Sequence, residues 1–219
     1  MSADRGSHLL VVPVGSFEQH GAHLPPSTDS LIITAVAGTA CSGRDVTLGP
    51  TVNVTASDEH AGFTGTLSIG TDLTASTLVA IATSATGWAG GVLFANGHGG
   101  NADALAMAGE ELSARGVAHD VWSLPLYDGA DMHAGLTETS VMLHLHPELV
   151  RMDLARVGNT GDAADLMPMM RTGGVRAVST SGVLGDPTGA SAAHGRAVFT
   201  MWVGSLSNRI DGLRAGRQG

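Results

Sequence analysis

The chain has 219 residues, of which 20 are Asp or Glu and 11 are basic, giving a formal net charge of −9 at pH 7. This length suits one α/β domain, and the acidic balance argues against a protein that binds nucleic acid through a basic surface. All 11 basic residues are Arg, which excludes lysine-dependent chemistry, and the single Cys41 excludes an intramolecular disulfide or a thiolate metal cage.

Apolar periodicity and turn residues predict alternating strands and helices along the chain. Strands are predicted over residues 9–14, 46–52, 66–69, 92–95 and 117–124, with a further extended segment over 174–183. Helices are predicted over residues 30–41, 71–89, 102–115, 136–144, 162–170 and 190–214. This order predicts an α/β fold with a mostly parallel sheet and helices on both of its faces.

Neither end of the chain nor its least charged stretch predicts a membrane protein. The N-terminus lacks the apolar stretch of a signal peptide, which favours a cytoplasmic location. Residues 73–102 carry no formal charge, but Thr, Ser and Gly dilute them, so a helix followed by a buried strand explains them better than a bilayer span. We predict one domain over residues 1–219, with residues 1–7 and 214–219 flexible.

Three segments place metal-binding residue types directly after predicted strands or before helices. The residues are Glu18, His20, Asp29, His98 and Glu138. Loops at the carboxyl ends of parallel strands meet in one crevice, so these residues are expected to converge. Two imidazoles and three carboxylates suit one or two divalent ions such as zinc, manganese or iron.

Each of these residues also has a purely structural interpretation. Asp29 could cap the helix that follows it, and Glu138 could interact with a helix dipole. His98 could flank a phosphate-binding nest, although its loop has no lysine and does not match the G-x-G-x-x-G spacing. Glu18 and His20 could lie in a solvated turn. Taken together, the structural interpretations explain the pattern less well than metal binding does, because three separate segments bring metal-ligand residue types to the same edge of the sheet.

Three motifs of the sequence resemble the signature motifs of the creatininase family of metal-dependent amidohydrolases. They are VPVGSFEQHGAHLPPSTD at 12–29, NGHGGN at 96–101 and HAGLTETS at 133–140. The resemblance implies a three-layer α/β/α sandwich, homo-oligomers and a dinuclear centre of zinc, iron or manganese. It also implies that Asp29 bridges two metals, with Glu18 and His98 on one and His20 on the other.

One position departs from the family pattern. Creatininase proper has a metal-binding Glu two residues after the histidine of the second motif, and here that position is Gly100. Glu138 is the natural substitute, as in other branches of the family. The change argues against creatinine itself as the substrate.

The C-terminal third resembles one branch of this family more than the others. Residues 173–179 and 182–188 are similar to the branch found in mycofactocin gene clusters. The likeness implies a peptidase that trims a decarboxylated, crosslinked C-terminal Val-Tyr dipeptide from a modified precursor peptide. The alternatives are an amidohydrolase of a small cyclic amide or formamide, such as creatinine or a formamidopyrimidine, and a metal-free flavodoxin-like binding module.

The ligand set and the motifs together predict a mechanism and further site residues. A hydroxide bridging two metals is expected to attack an amide carbonyl, and His133 is the predicted general acid for the leaving amine. Glu59 and His60 are weaker predictions for lining the substrate site, with an ordinary loop as the alternative. Trp122 and Tyr127 could wall a pocket for an aromatic substrate, although core packing explains Trp122 equally well.

Overall fold

The computed structural model describes residues 8–218, and the side chains of residues 8–216. The strands are β1 (Leu9–Val14), β2 (Thr47–Leu48), β3 (Gly91–Asn96) and β4 (His119–Ser123). The α-helices are α1 (Thr28–Cys41), α2 (Gly70–Ala85), α3 (Ala102–Ala114), α4 (Leu136–Leu145), α5 (Ala163–Gly173) and α6 (Ala192–Gln218). Short 3₁₀ turns join several of these elements.

The four strands form one parallel sheet in the order β2-β1-β3-β4. Both central strands are buried along their whole length. Successive side chains of β1 point to opposite faces, so Leu9 and Val11 pack on one side and Leu10 and Val12 on the other. Burial on both faces explains why these strands are continuous apolar runs in the sequence.

Helices cover each face of the sheet in a separate layer. Residues of α1, α4 and α6 share a core with Leu9, Val11 and Leu93, and residues of α2 and α3 share a second core with Leu10 and Phe94. The predicted three-layer α/β/α sandwich is therefore confirmed. In the outer layer, α4 and α6 approach so closely that a Cβ at Gly195 would lie 1.8 Å from the Ser140 carbonyl oxygen.

Three predicted extended segments are wrong or too long. Only residues 47–48 of the predicted strand 46–52 pair regularly, because Pro50 has no N–H to continue the ladder beyond Gly49, and Val52 then forms a single bridge to Val14. The predicted strand 66–69 is reduced to one bridge between Leu67 and Phe17. The segment 174–183 begins at Gly174 with a φ of 67° and continues into a 3₁₀ turn, Val175–Ala177, instead of running extended.

The predictions for the termini and for a membrane span meet different outcomes. The predicted flexibility of residues 1–7 falls outside the described residues, as does residue 219. Residues 214–218, also predicted to be flexible, belong to α6. Across residues 8–218, every helix is too short or too polar to cross a bilayer.

Candidate metal centre

The predicted site lies where β1 and β3 end side by side. The last residues of these strands, Val14 and Asn96, are paired in register, so the segments that follow them leave the sheet together. The turn after β1 carries Glu18 and His20, and the turn after β3 carries His98. All three side chains are buried. The parallel sheet therefore brings together the first two predicted ligand segments.

Hydrogen bonds fix Glu18 and His20 within the turn after β1. The Glu18 amide donates to the carbonyl of Pro26 at 3.0 Å, which closes the turn. His20 Nδ1 lies 3.0 Å from the Glu18 carbonyl oxygen, and because that oxygen can only accept, Nδ1 carries the proton. The unprotonated Nε2 of a neutral His20 then faces the site, which is the arrangement of a metal-binding histidine.

Asp29 lies between the two predicted metal positions. Its Oδ1 is 3.2 Å from His20 Nε2, and its Oδ2 is 3.2 Å from His98 Nδ1. Ser16 Oγ donates to Oδ2 at 2.6 Å and fixes the carboxylate. The helix begins at Thr28 and not at residue 30, so Asp29 lies inside the first turn of α1. The alternative of a helix cap is wrong, because the carboxylate is directed at Ser16 and the histidines.

The third motif brings Glu138 and His133 to the same place. Glu138 Oε2 accepts a hydrogen bond from the Ala134 amide at 2.6 Å and lies 3.7 Å from His20 Nε2. Ala134 has a φ of 53°, a left-handed conformation that is costly for alanine and turns its amide toward Glu138. His133 Nδ1 lies 3.7 Å from Glu18 Oε1.

The loop with Glu59 and His60 also reaches the site. His60 Nε2 is 3.1 Å from Glu18 Oε1, and Glu59 Oε1 is 3.2 Å from His98 Nε2. Of the two interpretations for this loop, proximity to the site therefore holds. His60 is buried, whereas Glu59 keeps 27% of its side chain exposed.

Gln19 is a site residue that the sequence analysis missed. Its Oε1 accepts from the Gly21 amide at 3.0 Å, so Nε2 is the donor that contacts the Gly182 carbonyl at 3.1 Å and His60 Nδ1 at 2.9 Å. The Gln19 carbonyl in turn accepts from His133 Nε2 at 2.8 Å. Its position between Glu18 and His20 in the first motif was the available signal.

The electrostatics of the site favour bound positive charge. Burial acts to lower the pKa of His20, but Asp29 and Glu138 outweigh it and raise this pKa to about 10. Burial is likewise outweighed at His98, where Glu18 and Asp29 raise the pKa well above its usual value. Carboxylates that hold protons so firmly on two buried imidazoles also favour divalent cations at the same atoms.

The pKa values of Glu18, Glu138 and His133 are also shifted by burial and by the neighbouring charges of the cluster. Burial acts to raise the pKa of Glu18, but His98 and His60 hold it well below its usual value. Burial raises the pKa of Glu138 to about 7 against the attraction of His20. Burial, with the charges of His20 and His60, lowers the pKa of His133 well below its usual value.

The surroundings of the Glu18 carboxylate indicate whether these residues fit a metal ion. The residue has no exposed surface, and its oxygens lie 3.0 Å from His98 Nε2 and 3.1 Å from His60 Nε2, but neither oxygen accepts a well-oriented hydrogen bond from any described residue. Leaving a buried carboxylate unsatisfied costs more than a lost hydrogen bond, unless a cation binds it. Four groups of three His, Asp or Glu residues have ligand atoms within 4.8 Å of one another, and Glu18 belongs to three of them. The donor set therefore fits divalent metals.

The candidate metal-binding cluster opens into a cavity of about 440 Å³, lined by residues that include Glu59, His133 and Arg171. An adjoining cavity of about 350 Å³ shares His98 and Glu138 and is lined by Tyr127, and the binding of an aromatic substrate there stays a prediction.

Of the two interpretations of Trp122, the structure agrees with core packing. Its indole packs in the core and donates to Ser205 Oγ at 3.1 Å. Trp202 of α6 lines the smaller cavity instead, with its Nε1 donating to the Pro125 carbonyl at 3.0 Å. Both residues are apolar aromatics in predicted elements, so the sequence alone offers no signal to separate them.

Known proteins resemble this chain in sequence and in fold. The family model for creatininase, described as creatinine amidohydrolase, matches residues 2–210. A mycofactocin precursor peptide peptidase of Mycolicibacterium smegmatis is 47% identical over 218 residues, covering 96% of this chain and 87% of that protein. One of Mycobacterium tuberculosis is 45% identical over 214 residues, covering 93% and 85%. The solved structure "Creatininase Mn" superposes with a TM-score of 0.77 at 25% identity, covering 94% of this chain and 90% of that one.

Proposed function

This chain belongs to the creatininase family, and on that premise we propose that it is a dinuclear metal-dependent peptidase. We propose that it cleaves an amide bond in a modified mycofactocin precursor peptide and releases the C-terminal Val-Tyr dipeptide. The relatives named as mycofactocin precursor peptide peptidases support the substrate. The buried cluster of carboxylates and imidazoles around Glu18 is the single observation that carries the chemistry.

Charge balance supports two divalent ions. Four carboxylates, Glu18, Asp29, Glu59 and Glu138, lie within reach of the site histidines. With neutral imidazoles their formal charge is −4, which two divalent ions would neutralise. We assign Glu18 and His98 to one ion, His20 and Glu138 to the other, and Asp29 to both. Zinc, iron and manganese all suit such nitrogen and oxygen ligands.

The residues around the cluster then have separate roles in amide hydrolysis. When bound by these residues, divalent ions would lower the pKa of a coordinated water and would polarise the amide carbonyl. His133 donates through Nε2 to the Gln19 carbonyl, which leaves Nδ1 directed toward Glu18 and the reacting centre. A neutral, buried His133 could then accept a proton from the attacking water at Nδ1 and pass it to the leaving amine.

The two adjoining cavities suit a peptide whose cleaved bond lies between them. The smaller cavity presents Tyr127 and Trp202, and aromatic walls favour an aromatic leaving portion such as the modified tyrosine. The larger cavity presents Arg171 together with Met167 and Met170, and methionines adapt their shape to a peptide chain.

The direct test is to incubate metal-loaded protein with the modified precursor peptide and analyse the products by mass spectrometry. We expect release of the C-terminal dipeptide, with no release by the His20→Ala variant and full release by a His146→Gln control. Creatinine and a formamidopyrimidine are assayed separately as alternative substrates. Turnover of either one without peptide cleavage would overturn the proposal, as would full peptide cleavage by protein shown to be free of metal.

A further inference from the structure

The space above Gly100 is filled by a side chain from another part of the chain. A Cβ built on Gly100 would lie 2.0 Å from Glu59 Oε1 and 2.4 Å from His98 Nε2. Both distances are far below van der Waals contact. A side chain at position 100 and the observed position of Glu59 therefore exclude one another.

The backbone of the Glu59 turn is fixed from outside the site. Gly174 lies so close that a Cβ there would be 2.7 Å from the Glu59 carbonyl oxygen. Arg176 donates to the Gly62 carbonyl at 2.7 Å and lies 4.5 Å from the centre of the Phe63 ring. The turn is therefore held against the segment that begins at Gly174, so the Glu59 carboxylate is directed into the cavity by tertiary contacts.

We propose that Glu59 is an additional carboxylate ligand of the ion held by Glu18 and His98, an inference that rests on the proposed function. Ligand atoms of these three residues lie within 4.8 Å of one another. The buried Glu18 oxygens lie about 3 Å from two imidazole nitrogens without a well-oriented hydrogen bond, which independently indicates a cation at this point. Glu138 Oε2 lies 3.7 Å from His20 Nε2 and Glu59 Oε1 lies 3.2 Å from His98 Nε2, so two carboxylates from different segments approach the histidines where position 100 offers none.

Metal binding tests the role of Glu59 without any peptide substrate. We compare Glu59→Gln with Glu110→Gln, a matched exposed glutamate of α3, and measure Mn²⁺ affinity by chelator competition and Co²⁺ coordination by visible absorption. We expect Glu59→Gln to lower the affinity for one of the two ions by about tenfold or more and to change the Co²⁺ spectrum. The Glu110→Gln variant should keep the wild-type affinity and spectrum. Unchanged affinity and an unchanged spectrum for Glu59→Gln would overturn the inference.

A second pair of variants tests the geometry itself. Gly100→Ala should displace Glu59 and weaken the same ion, whereas a Cβ at Gly99 meets nothing within 4 Å, so Gly99→Ala should bind metal normally. Wild-type affinity in Gly100→Ala would also overturn the inference. A wild-type protein that binds no divalent ion would defeat the proposed function, whereas normal wild-type binding with an unaffected Glu59→Gln would defeat only the role of Glu59.

Discussion

Removing the proposed metal ions should make the free energy of unfolding fall as the pH rises. In the metal-free protein, burial acts to lower the pKa of His20, but Asp29 and Glu138 raise it to about 10. In the unfolded chain this pKa returns to about 6.5. The folded state therefore binds the extra proton between these values. Stability from His20 is fully present below about pH 6.5 and is lost as the pH rises toward 10.

The size of the effect follows from the pKa shift. Each pH unit in this interval costs about 1.4 kcal/mol, so from about pH 7 to about pH 9 the loss is about 2.5 kcal/mol. For a protein of this length, that lowers the melting temperature by about 5–10 °C. His98 also has a raised pKa and adds to the loss with the same sign. In the metal-loaded protein, bound ions take the place of these protons and the slope should disappear.

The assay is thermal unfolding across this pH interval, with chelator present or with metal restored. We expect the melting temperatures of the two forms to separate progressively as the pH rises. In the metal-free state, His20→Gln should flatten the slope, whereas His146→Gln, which alters a half-buried histidine paired with Glu148, should not. Equal pH slopes with and without metal, or a metal-free protein that gains stability with pH, would refute the reasoning.

Two further predictions concern the reaction and one concerns helix packing. His133→Gln should lower kcat by about 100-fold or more with unchanged metal content, measured by peptide cleavage and elemental analysis. Gln19→Ala should lower kcat more than metal affinity, because it frees His60 and leaves the Gly182 carbonyl unpaired; equal losses would contradict this. Gly195→Ala should destabilise the fold by about 3 kcal/mol in chemical unfolding, whereas Gly204→Ala, whose Cβ meets nothing within 4 Å, should be neutral or slightly stabilising. Equal stability of Gly195→Ala and Gly204→Ala would contradict this prediction and would show that α4 and α6 can move apart at little cost.

Local patterns were sufficient to predict the layered fold and to group most residues of the candidate metal-binding cluster. The runs at 9–14 and 92–95 are continuously apolar, which indicates buried parallel strands. Ligand-type residues directly after those strands converge, because parallel strands end at a common edge. Glu18, His20 and His98 could therefore be grouped from their positions along the chain.

Residues whose position depends on distant contacts could not be assigned in the same way. Glu59 reaches His98 because Gly174, more than a hundred residues later, packs against its turn and because Gly100 leaves the space free. Trp202 rather than Trp122 faces a cavity because of how α6 packs on the sheet.

The sequence by itself determined the order of the elements, the parallel sheet and the residue types gathered at its edge. These follow from periodicity and turn chemistry, which act over a few neighbouring residues. Only the tertiary structure decided that the segment after Gly174 turns back on the Glu59 loop, and that Asp29 points away from its helix terminus toward the histidines. Such choices depend on steric fit and electrostatic attraction between segments far apart in the chain, which no local pattern records.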